Sequence, residues 1–159
     1  SNNVMAQQLF LSLGLNPGTS TSASTDSARA RLASWWRERM GDAPMPTLDN
    51  GSGLSRESRI SASALARLLQ VAYASPTMPE LMSSLPLAGV DGTLKRSQVG
   101  PQGAAHLKTG SLRDVAATAG YVLSASGQRY VLVAMINHPN ASMAKPAIDA
   151  LTRWVIREH

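Results

Sequence analysis

The feature that most constrains the fold is a change of sequence pattern near residue 104. Three strand-like segments follow it, at 104–108, 114–124 and 129–137, and Ser126 and Gly127 supply a turn between the last two. The third segment, which contains Tyr-Val-Leu-Val-Ala-Met-Ile, is apolar on both faces. Such a strand is typical of a sheet that is covered by helices on both sides.

The residues before this change predict helices and loops. Apolar residues recur at helical spacing in three segments, with predicted inward positions at Met5, Leu9, Leu13; Ala28, Leu32, Trp35, Met40; and Leu65, Leu68, Leu69, Ala72. Ser61 or Ser63 caps the third helix, a short helix follows Pro79, and 42–60 and 86–104 are loops. Pro146 opens a final helix, whose predicted buried stripe is Ile148, Leu151 and Val155.

The order of these elements predicts an α+β fold: a helical segment, a three-stranded antiparallel meander and a C-terminal helix. A chain of 159 residues fits one domain. We therefore predict a single domain over 1–159, in which 1–103 is the mostly helical and loop part and 104–159 is the sheet and last helix.

Composition excludes several classes of chemistry. The chain has no cysteine, which removes disulfides, thiol chemistry and cysteine zinc sites. Its three histidines lack metal-ligand spacing, so we expect no metal and no cofactor. No apolar run approaches the roughly 20 residues that cross a bilayer, so no transmembrane segment is expected. The first residues also lack the pattern of a signal peptide.

The net charge of +5 raises the question of nucleic acid. Several arginines fall in one stretch around two tryptophans: Arg29, Arg31, Arg37 and Arg39 around Trp35 and Trp36. The pattern favours a helix with a solvated basic face over a nucleic-acid site, and a positive surface would also suit an anionic polymer.

Two short motifs suggest chemistry. Lys108, Thr109, Gly110 and Ser111 lie at the end of a strand-like segment, where an ammonium and hydroxyls can meet a carboxylate and glycine allows close approach. Ser1-Asn2-Asn3 directly precedes a helix. Taken singly, Ser-x-Asn is more simply a helix cap, and a terminal Ser-Asn is also what a cleaved expression tag can leave.

Taken together and in order, these motifs resemble those of the class C low-molecular-mass penicillin-binding proteins, the D-alanyl-D-alanine carboxypeptidase/endopeptidase family. That family uses Ser-x-x-Lys, Ser-x-Asn and Lys-Thr-Gly in this order. Residues 49–56 (Asp-Asn-Gly-Ser-Gly-Leu-Ser-Arg) and 85–94 (Leu-Pro-Leu-Ala-Gly-Val-Asp-Gly-Thr-Leu) match two long family signatures, and 119–122 (Ala-Gly-Tyr-Val) match a third. The resemblance covers nearly the whole chain.

The resemblance implies a serine β-lactamase/transpeptidase-like sheet flanked by helices, and it implies the site residues. Ser1 would pass a proton toward the leaving amine, the Asn3 amide would bind the peptide, and Lys108 would keep the cleft positive. Thr109 and Ser111 would hold the terminal carboxylate beside Gly110, with the backbone N–H of Ser111 as an oxyanion donor. The two long signatures are expected to shape loops rather than to perform chemistry.

The nucleophile of the family lies upstream of Ser-x-Asn, so the resemblance implies that 1–159 is the C-terminal part of a single penicillin-binding domain. We therefore expect this chain to be inactive alone and to need an N-terminal half that carries Ser-x-x-Lys. The one such motif here, Ser142 to Lys145, follows Lys-Thr-Gly, and Pro146 disfavours helical geometry at Lys145, whereas the family's serine and lysine lie on the first turn of a helix. We therefore interpret it as a decoy. Ser52 lacks a complete Gly-x-Ser-x-Gly pattern and is a poor candidate.

Further expectations come from the family alone. Its sheet uses strands from both chain ends, so one edge of the three-stranded part would be open to pairing. Peptidoglycan peptides and β-lactams would be the ligands, and the location would be periplasmic. The alternatives are a non-catalytic peptidoglycan-binding module that retains the fold and a basic nucleic-acid binder.

Overall fold

The computed structural model describes residues 2–15 and 22–158. The helices there are α1 (Asn3–Ser12), α2 (Thr25–Arg39), α3 (Ala62–Tyr73), α4 (Met78–Ser84) and α5 (Lys145–Arg157), and the strands are β1 (Ala105–Leu112), β2 (Val115–Leu123) and β3 (Arg129–Asn137). Short 3₁₀ helices span Gly92–Leu94 and Ala141–Met143. None of the helices within these described ranges is both long and apolar enough to span a membrane.

The chain separates into two compact units, Ser1–Ala64 and Leu65–His159. The boundary falls inside α3, whereas the change of sequence pattern falls near residue 104. The second unit thus includes helical residues that precede the strands, because Leu69 and Tyr73 of α3 contact the sheet. Whether 1–159 forms a single domain stays a prediction.

In the first unit, two helices begin at polar caps. The side chain of Asn2 accepts from the backbone N–H of Met5 at 3.0 Å, and Ser24 and Ser27 form a reciprocal capping box at the start of α2. Ser61 caps α3 by accepting from the N–H of Ala64 at 3.1 Å, so of the two predicted caps Ser61 is the one used.

The inward faces of α1 and α2 differ from the prediction. Met5, Leu9 and Leu13 are exposed, and the buried residue of α1 is Phe10. In α2 the buried tryptophan is Trp36 rather than Trp35, because the Trp36 indole N–H donates to the carbonyl of Ala43 at 2.9 Å. The spacing therefore predicted both helices and correctly placed Ala28 and Met40 in the interior, but it misidentified the inward face of α1 and the inward tryptophan of α2.

The second unit is built on an antiparallel sheet in the order β1-β2-β3. In its register Lys108 lies opposite Ala119, and Ala119 lies opposite Val133. The predicted turn between β2 and β3 is present, since the N–H of Gly127 donates to the carbonyl of Ser124 at 3.0 Å. The predicted meander is confirmed.

One strand boundary was wrong, and it concerns the site. The sequence predicts that the first strand ends at residue 108, whereas β1 continues to Leu112. A tight turn at Arg113 and Asp114, in which Asp114 adopts a φ of 64°, lets residues 109–112 pair with the start of β2. The Lys-Thr-Gly motif therefore lies inside a paired strand.

Helices pack on both faces of the sheet, as predicted. On one face, Ile156 of α5 joins an apolar cluster with Leu107, Val122 and Leu132. On the other face, Tyr121 packs against Tyr73 of α3, with ring centroids 5.5 Å apart. The buried residues of α5 are Thr152 and Ile156, so the predicted stripe was wrong at Leu151, which is exposed.

Gly120 is required by the pairing of β1 and β2. A Cβ at this position would lie 2.1 Å from the carbonyl oxygen of His106, and its φ of +152° is one that other residues rarely adopt. The family signature 119–122 thus includes a residue whose place is fixed by backbone contact.

We expect Gly120→Ala to lower the free energy of unfolding by about 3 kcal/mol or more, because backbone strain adds to a clash that β1 cannot relieve. Gly110→Ala in the neighbouring strand is the control: its Cβ would meet only the Cβ of Ala117, at 3.9 Å, so the change should stay within about 1 kcal/mol. Thermal and urea unfolding of the full-length protein would measure both. Equal losses for the two variants would contradict this account.

Tyr121 is the largest fully buried side chain, and its hydroxyl donates to the carbonyl of Leu69 at 2.8 Å. Burial raises the pKa of Tyr121 above its ordinary value of 10.0, and the neighbouring Tyr73 adds to the rise. The folded protein therefore holds this proton more tightly than the unfolded chain does. The stability linked to it is fully present below pH 10.0 and is lost as the pH rises through the raised pKa.

Tyr121→Phe should cost about 1 kcal/mol at neutral pH, through the lost hydrogen bond, and should flatten the decline of stability above pH 10.0. Thr152→Val is the control: it removes another buried hydroxyl that donates to a backbone carbonyl, that of Ile148 at 2.8 Å, but no group that titrates in this pH range, so it should leave the alkaline decline as in the wild type. Urea unfolding from pH 8 to pH 11 would compare the slopes, and an unchanged slope in Tyr121→Phe would contradict the assignment.

Candidate active site

The outer edge of β1 is paired over only part of its length. The N–H of Ala88 donates to the carbonyl of Ala105, and the N–H of Leu107 donates to the carbonyl of Pro86, both at 2.9 Å. In an antiparallel strand, alternate residues direct both backbone groups to the same side, so Thr109 and Ser111 also face this edge. Beyond Leu107, no strand among residues 2–15 and 22–158 pairs with it.

Lys108 brings a positive charge to this unpaired edge. Its side chain is exposed, and its ammonium donates to the backbone carbonyl of Thr109 at 2.6 Å. Because the Thr109 carbonyl points to the outer edge, the ammonium lies beside the unpaired part of the strand. An incoming carboxylate would meet this charge first.

The side chains of Thr109 and Ser111 share one face of the sheet and line a cavity of about 330 Å³. Its other walls come from β2, from the first turns of α5, and from part of the loop before β1, namely Thr93, Leu94, Arg96, Ser97 and Val99. The Thr109 hydroxyl donates to the hydroxyl of Thr93 at 2.9 Å. Within the part of the chain that the structure describes, Ser97 Oγ in this cavity is the buried side-chain polar atom that has no hydrogen-bond partner.

Gly110 separates the two hydroxyl residues, and packing within the chain does not require a glycine there. A Cβ at Gly110 would make only an ordinary contact with Ala117. The missing side chain instead leaves the unpaired part of β1 open to a ligand. Lys108, Thr109, Gly110 and Ser111 are thus brought together along four consecutive positions of one strand.

Of the two residues predicted from Ser-x-Asn, the structure describes only Asn3. Ser1 lies outside the described residues. Asn3 is the first residue of α1, its side chain is exposed, and it has no hydrogen-bond partner within 2–15 and 22–158, because Asn2 performs the capping. Asn3 belongs to the first compact unit and Lys108 to the second. Their convergence on one groove therefore stays a prediction.

The signature at 49–56 is a loop held by many hydrogen bonds. Arg29 of α2 donates to the carbonyl of Leu48 at 2.6 Å, and the side chain of Gln7 accepts from the N–H of Gly51 at 2.8 Å. A Cβ at Gly51 would lie 2.1 Å from that of Phe10, so this loop needs glycine to approach α1. The local hydrogen bonds give these residues a structural role.

Ser52 takes part in the same network. Its hydroxyl donates to the side chain of Asn50 at 2.7 Å and accepts from the N–H of Leu54 at 3.1 Å. These bonds form a turn and place no general base beside the hydroxyl. The structure supports the view that Ser52 is not a nucleophile.

The signature at 85–94 contributes a residue that the sequence analysis missed. The carboxylate of Asp91 accepts from the N–H of Leu87 at 2.6 Å, and Leu94 is buried, so the loop is fixed at both ends. Between these anchors, Thr93 is exposed and faces Thr109. A hydroxyl residue within this loop gave no local signal, since its partner lies 16 positions away.

Ser142 and Lys145 do not form a catalytic pair. Ser142 belongs to the 3₁₀ helix, Lys145 is the first residue of α5, and the Lys145 ammonium forms an ion pair with Asp149. Pro146 occupies the first turn of α5, so the expectation that Lys145 is kept out of helical geometry was wrong. The Lys145 ammonium is thus paired with Asp149, whereas the lysine of a catalytic Ser-x-x-Lys motif contacts the serine.

The arginine cluster on α2 serves the fold at one position at least. Arg29 forms an ion pair with Asp26 at 3.1 Å in addition to its bonds with the 49–56 loop. Trp36 is buried and Arg37 donates to Ser34 at 3.3 Å. The buried Trp36 offers no face on which a base could stack, and of the two tryptophans it is Trp35 that is exposed.

The fold of the chain defines its class. It superimposes on the structure of penicillin binding protein 4 from Haemophilus influenzae with a TM-score of 0.76 and 25% identity, over 94% of this chain and 37% of that one. It also superimposes on a predatory endopeptidase from Bdellovibrio bacteriovorus with a TM-score of 0.70 and 19% identity, over 98% of this chain and 42% of that chain. The chain therefore has the penicillin-binding, transpeptidase-like fold.

Residues 1–157 match the D-Ala-D-Ala carboxypeptidase 3 (S13) family, and the chain belongs to it. A carboxypeptidase of Mycobacterium tuberculosis is 31% identical in an alignment of 161 residues that covers 95% of this chain and 34% of that protein. The D-alanyl-D-alanine carboxypeptidase DacB of Haemophilus influenzae is 33% identical over 94 residues, and that alignment covers 57% of this chain and 20% of that protein. The chain thus spans 34% and 20% of the length of these two relatives.

Proposed function

We propose that this chain is part of a serine D-alanyl-D-alanine carboxypeptidase/endopeptidase that acts on peptidoglycan peptides through an acyl-enzyme. The observation that carries the proposal is the unpaired edge of β1 from Lys108 to Ser111, with an ammonium beside it and two hydroxyls on one face. Membership of the S13 family supports the same reading.

An unpaired strand edge can bind an extended peptide by adding it to the sheet. The backbone groups of Thr109 and Ser111 face this edge, and Gly110 leaves room for the peptide backbone. The N–H of Ser111 then serves as an oxyanion donor to the carbonyl under attack. This arrangement suits a substrate that ends in a short, extended peptide.

Recognition of the peptide terminus follows from charge and hydroxyl groups. The Lys108 ammonium attracts the terminal carboxylate, and the Thr109 and Ser111 hydroxyls donate to it. β-Lactams carry a carboxylate in a similar position, so we propose that they acylate the same site. One solved structure of penicillin binding protein 4 from Haemophilus influenzae is a complex with a β-lactam.

The reaction proceeds in two steps. A serine oxygen attacks the carbonyl between two D-alanines, the C–N bond breaks, and the leaving amine takes a proton that Ser1 relays. Water then hydrolyses the acyl-enzyme and restores the serine. In this proposal the Asn3 amide holds the peptide near the scissile bond, and the nucleophile comes from a Ser-x-x-Lys motif in an N-terminal half.

One surface of the described residues is suited to contact with that half. Leu151 and Trp154 of α5 and Tyr130 of β3 are exposed large apolar side chains. They line a cavity of about 320 Å³ beside β3. We propose that the remaining part of the protein covers this surface.

We also propose that the protein works in the periplasm, where its substrate lies.

Fluorescent penicillin labelling of the full-length protein tests the assignment. We expect the wild type to be labelled, and Lys108→Met to lower the acylation rate about 100-fold, because it removes the charge beside the strand edge. Lys95→Met is the control: Lys95 is also exposed and the change in net charge is the same, but it lies outside the edge and the cavity lining.

Absence of labelling in the wild type would refute the catalytic assignment. If that unlabelled protein still binds muropeptides, the alternative of a non-catalytic peptidoglycan-binding module is correct. Equal losses of rate in Lys108→Met and Lys95→Met would show that general charge, rather than the position of Lys108, governs acylation.

Gly110→Ala should separate function from stability. We expect it to retain the unfolding midpoint but to slow acylation at least tenfold, because its methyl group would project next to the unpaired edge where the ligand backbone approaches. Acylation kinetics and thermal unfolding of the same preparation would test this. A wild-type acylation rate would mean that the ligand does not approach Gly110 closely.

A further inference from the structure

The loop that contains Thr93 is tied to β1 by backbone bonds. Ala88 and Leu107 donate to the carbonyls of Ala105 and Pro86, which fixes the start of the loop on the strand. The loop then closes on itself, since Gly89 donates to the carbonyl of Leu94 at 3.0 Å. Thr93 is therefore held in register with the strand rather than placed by a free loop.

The contact between Thr93 and Thr109 joins two hydroxyl groups and no other side chain. Their oxygens are 2.9 Å apart, and the Thr109 hydroxyl is the donor. A hydroxyl has one proton to donate and two lone pairs with which to accept. While Thr109 donates to Thr93, it has no proton for a ligand.

A carboxylate bound at the strand edge would reverse the direction of the hydrogen bond between Thr93 and Thr109. A carboxylate only accepts hydrogen bonds, so Thr109 must turn its proton toward the ligand. The Thr93 hydroxyl can then rotate and donate to the oxygen of Thr109. This second bond keeps the Thr109 oxygen paired and polarises its O–H toward the anion.

We propose that Thr93 is a positioning residue for carboxylate recognition, and that it acts by donating to Thr109 when Thr109 donates to the terminal carboxylate of the ligand. The inference rests on the proposed function, because it requires a ligand that carries a carboxylate at Thr109. Thr93 does not touch the reacting atoms. Its role is to set the direction of a neighbouring hydroxyl.

The test uses the full-length protein and two β-lactams, benzylpenicillin and its carboxylate methyl ester. Thr93→Val retains the shape of the side chain and removes the hydroxyl, and Thr93→Ser retains the hydroxyl. We expect Thr93→Val to slow acylation by the acid about tenfold, the scale of one hydrogen bond. Acylation by the ester should change less than twofold, and Thr93→Ser should restore at least half of the wild-type rate with the acid.

The outcomes are separable. Equal losses for the acid and the ester in Thr93→Val would mean a general disturbance of the strand, and an unchanged rate with the acid would mean no role; either result overturns the inference while the proposed function stands. A wild-type protein that neither β-lactam acylates would overturn the proposed function, and this inference with it. Thermal unfolding of each variant should match the wild type, because Thr93 is exposed.

Discussion

The site depends on where the pairing along the outer edge of β1 stops. Two backbone hydrogen bonds tie residues 86–88 to the strand, and the last of them is made by Leu107. One more bonded pair would cover Thr109, and the motif would become the interior of a sheet. Because pairing stops there, backbone groups that are normally satisfied within a sheet stay available to a peptide, and the Lys108 ammonium lies beside them.

The sequence signatures of the family divide into residues that build the scaffold and residues that lie at the unpaired edge of β1 or line the adjacent cavity. Gly51 and Gly120 are fixed by close contacts with Phe10 and with the backbone of His106. Tyr121 is buried and bonded to α3. Gly110 and Thr93 also belong to family motifs, yet a Cβ at Gly110 would make only an ordinary contact and Thr93 is exposed. Contact geometry therefore separates two roles that the sequence alone presents as one pattern.

Much of the fold could be predicted from the sequence, because apolar periodicity reports secondary structure directly. The meander, the helices on both faces and the cap at Ser61 were predicted correctly. The errors concern which side of a helix is buried, as at Trp35 and Leu151, because spacing identifies a stripe without identifying its partner. The end of β1 was also missed, since residues 109–112 are polar and small and their strand conformation comes from pairing with β2.

The site itself was predicted through motifs rather than through geometry. Lys108 to Ser111 could be found because they are adjacent in sequence. Thr93 could not, because its partner is 16 residues away and a threonine in a loop carries no periodic or compositional signal. The pairing of Lys145 with Asp149 likewise needed coordinates before the misplaced Ser-x-x-Lys could be set aside on physical grounds.

The start of α1 shows how two duties are divided between neighbouring residues. Asn2 caps the helix, whereas the side chain of Asn3 forms no hydrogen bond within the described residues. A substitution at position 3 therefore breaks no side-chain hydrogen bond within the described residues. Natural selection can tune the chemistry of that side chain independently of folding, a freedom that is lost wherever one residue both builds a scaffold and serves a reaction.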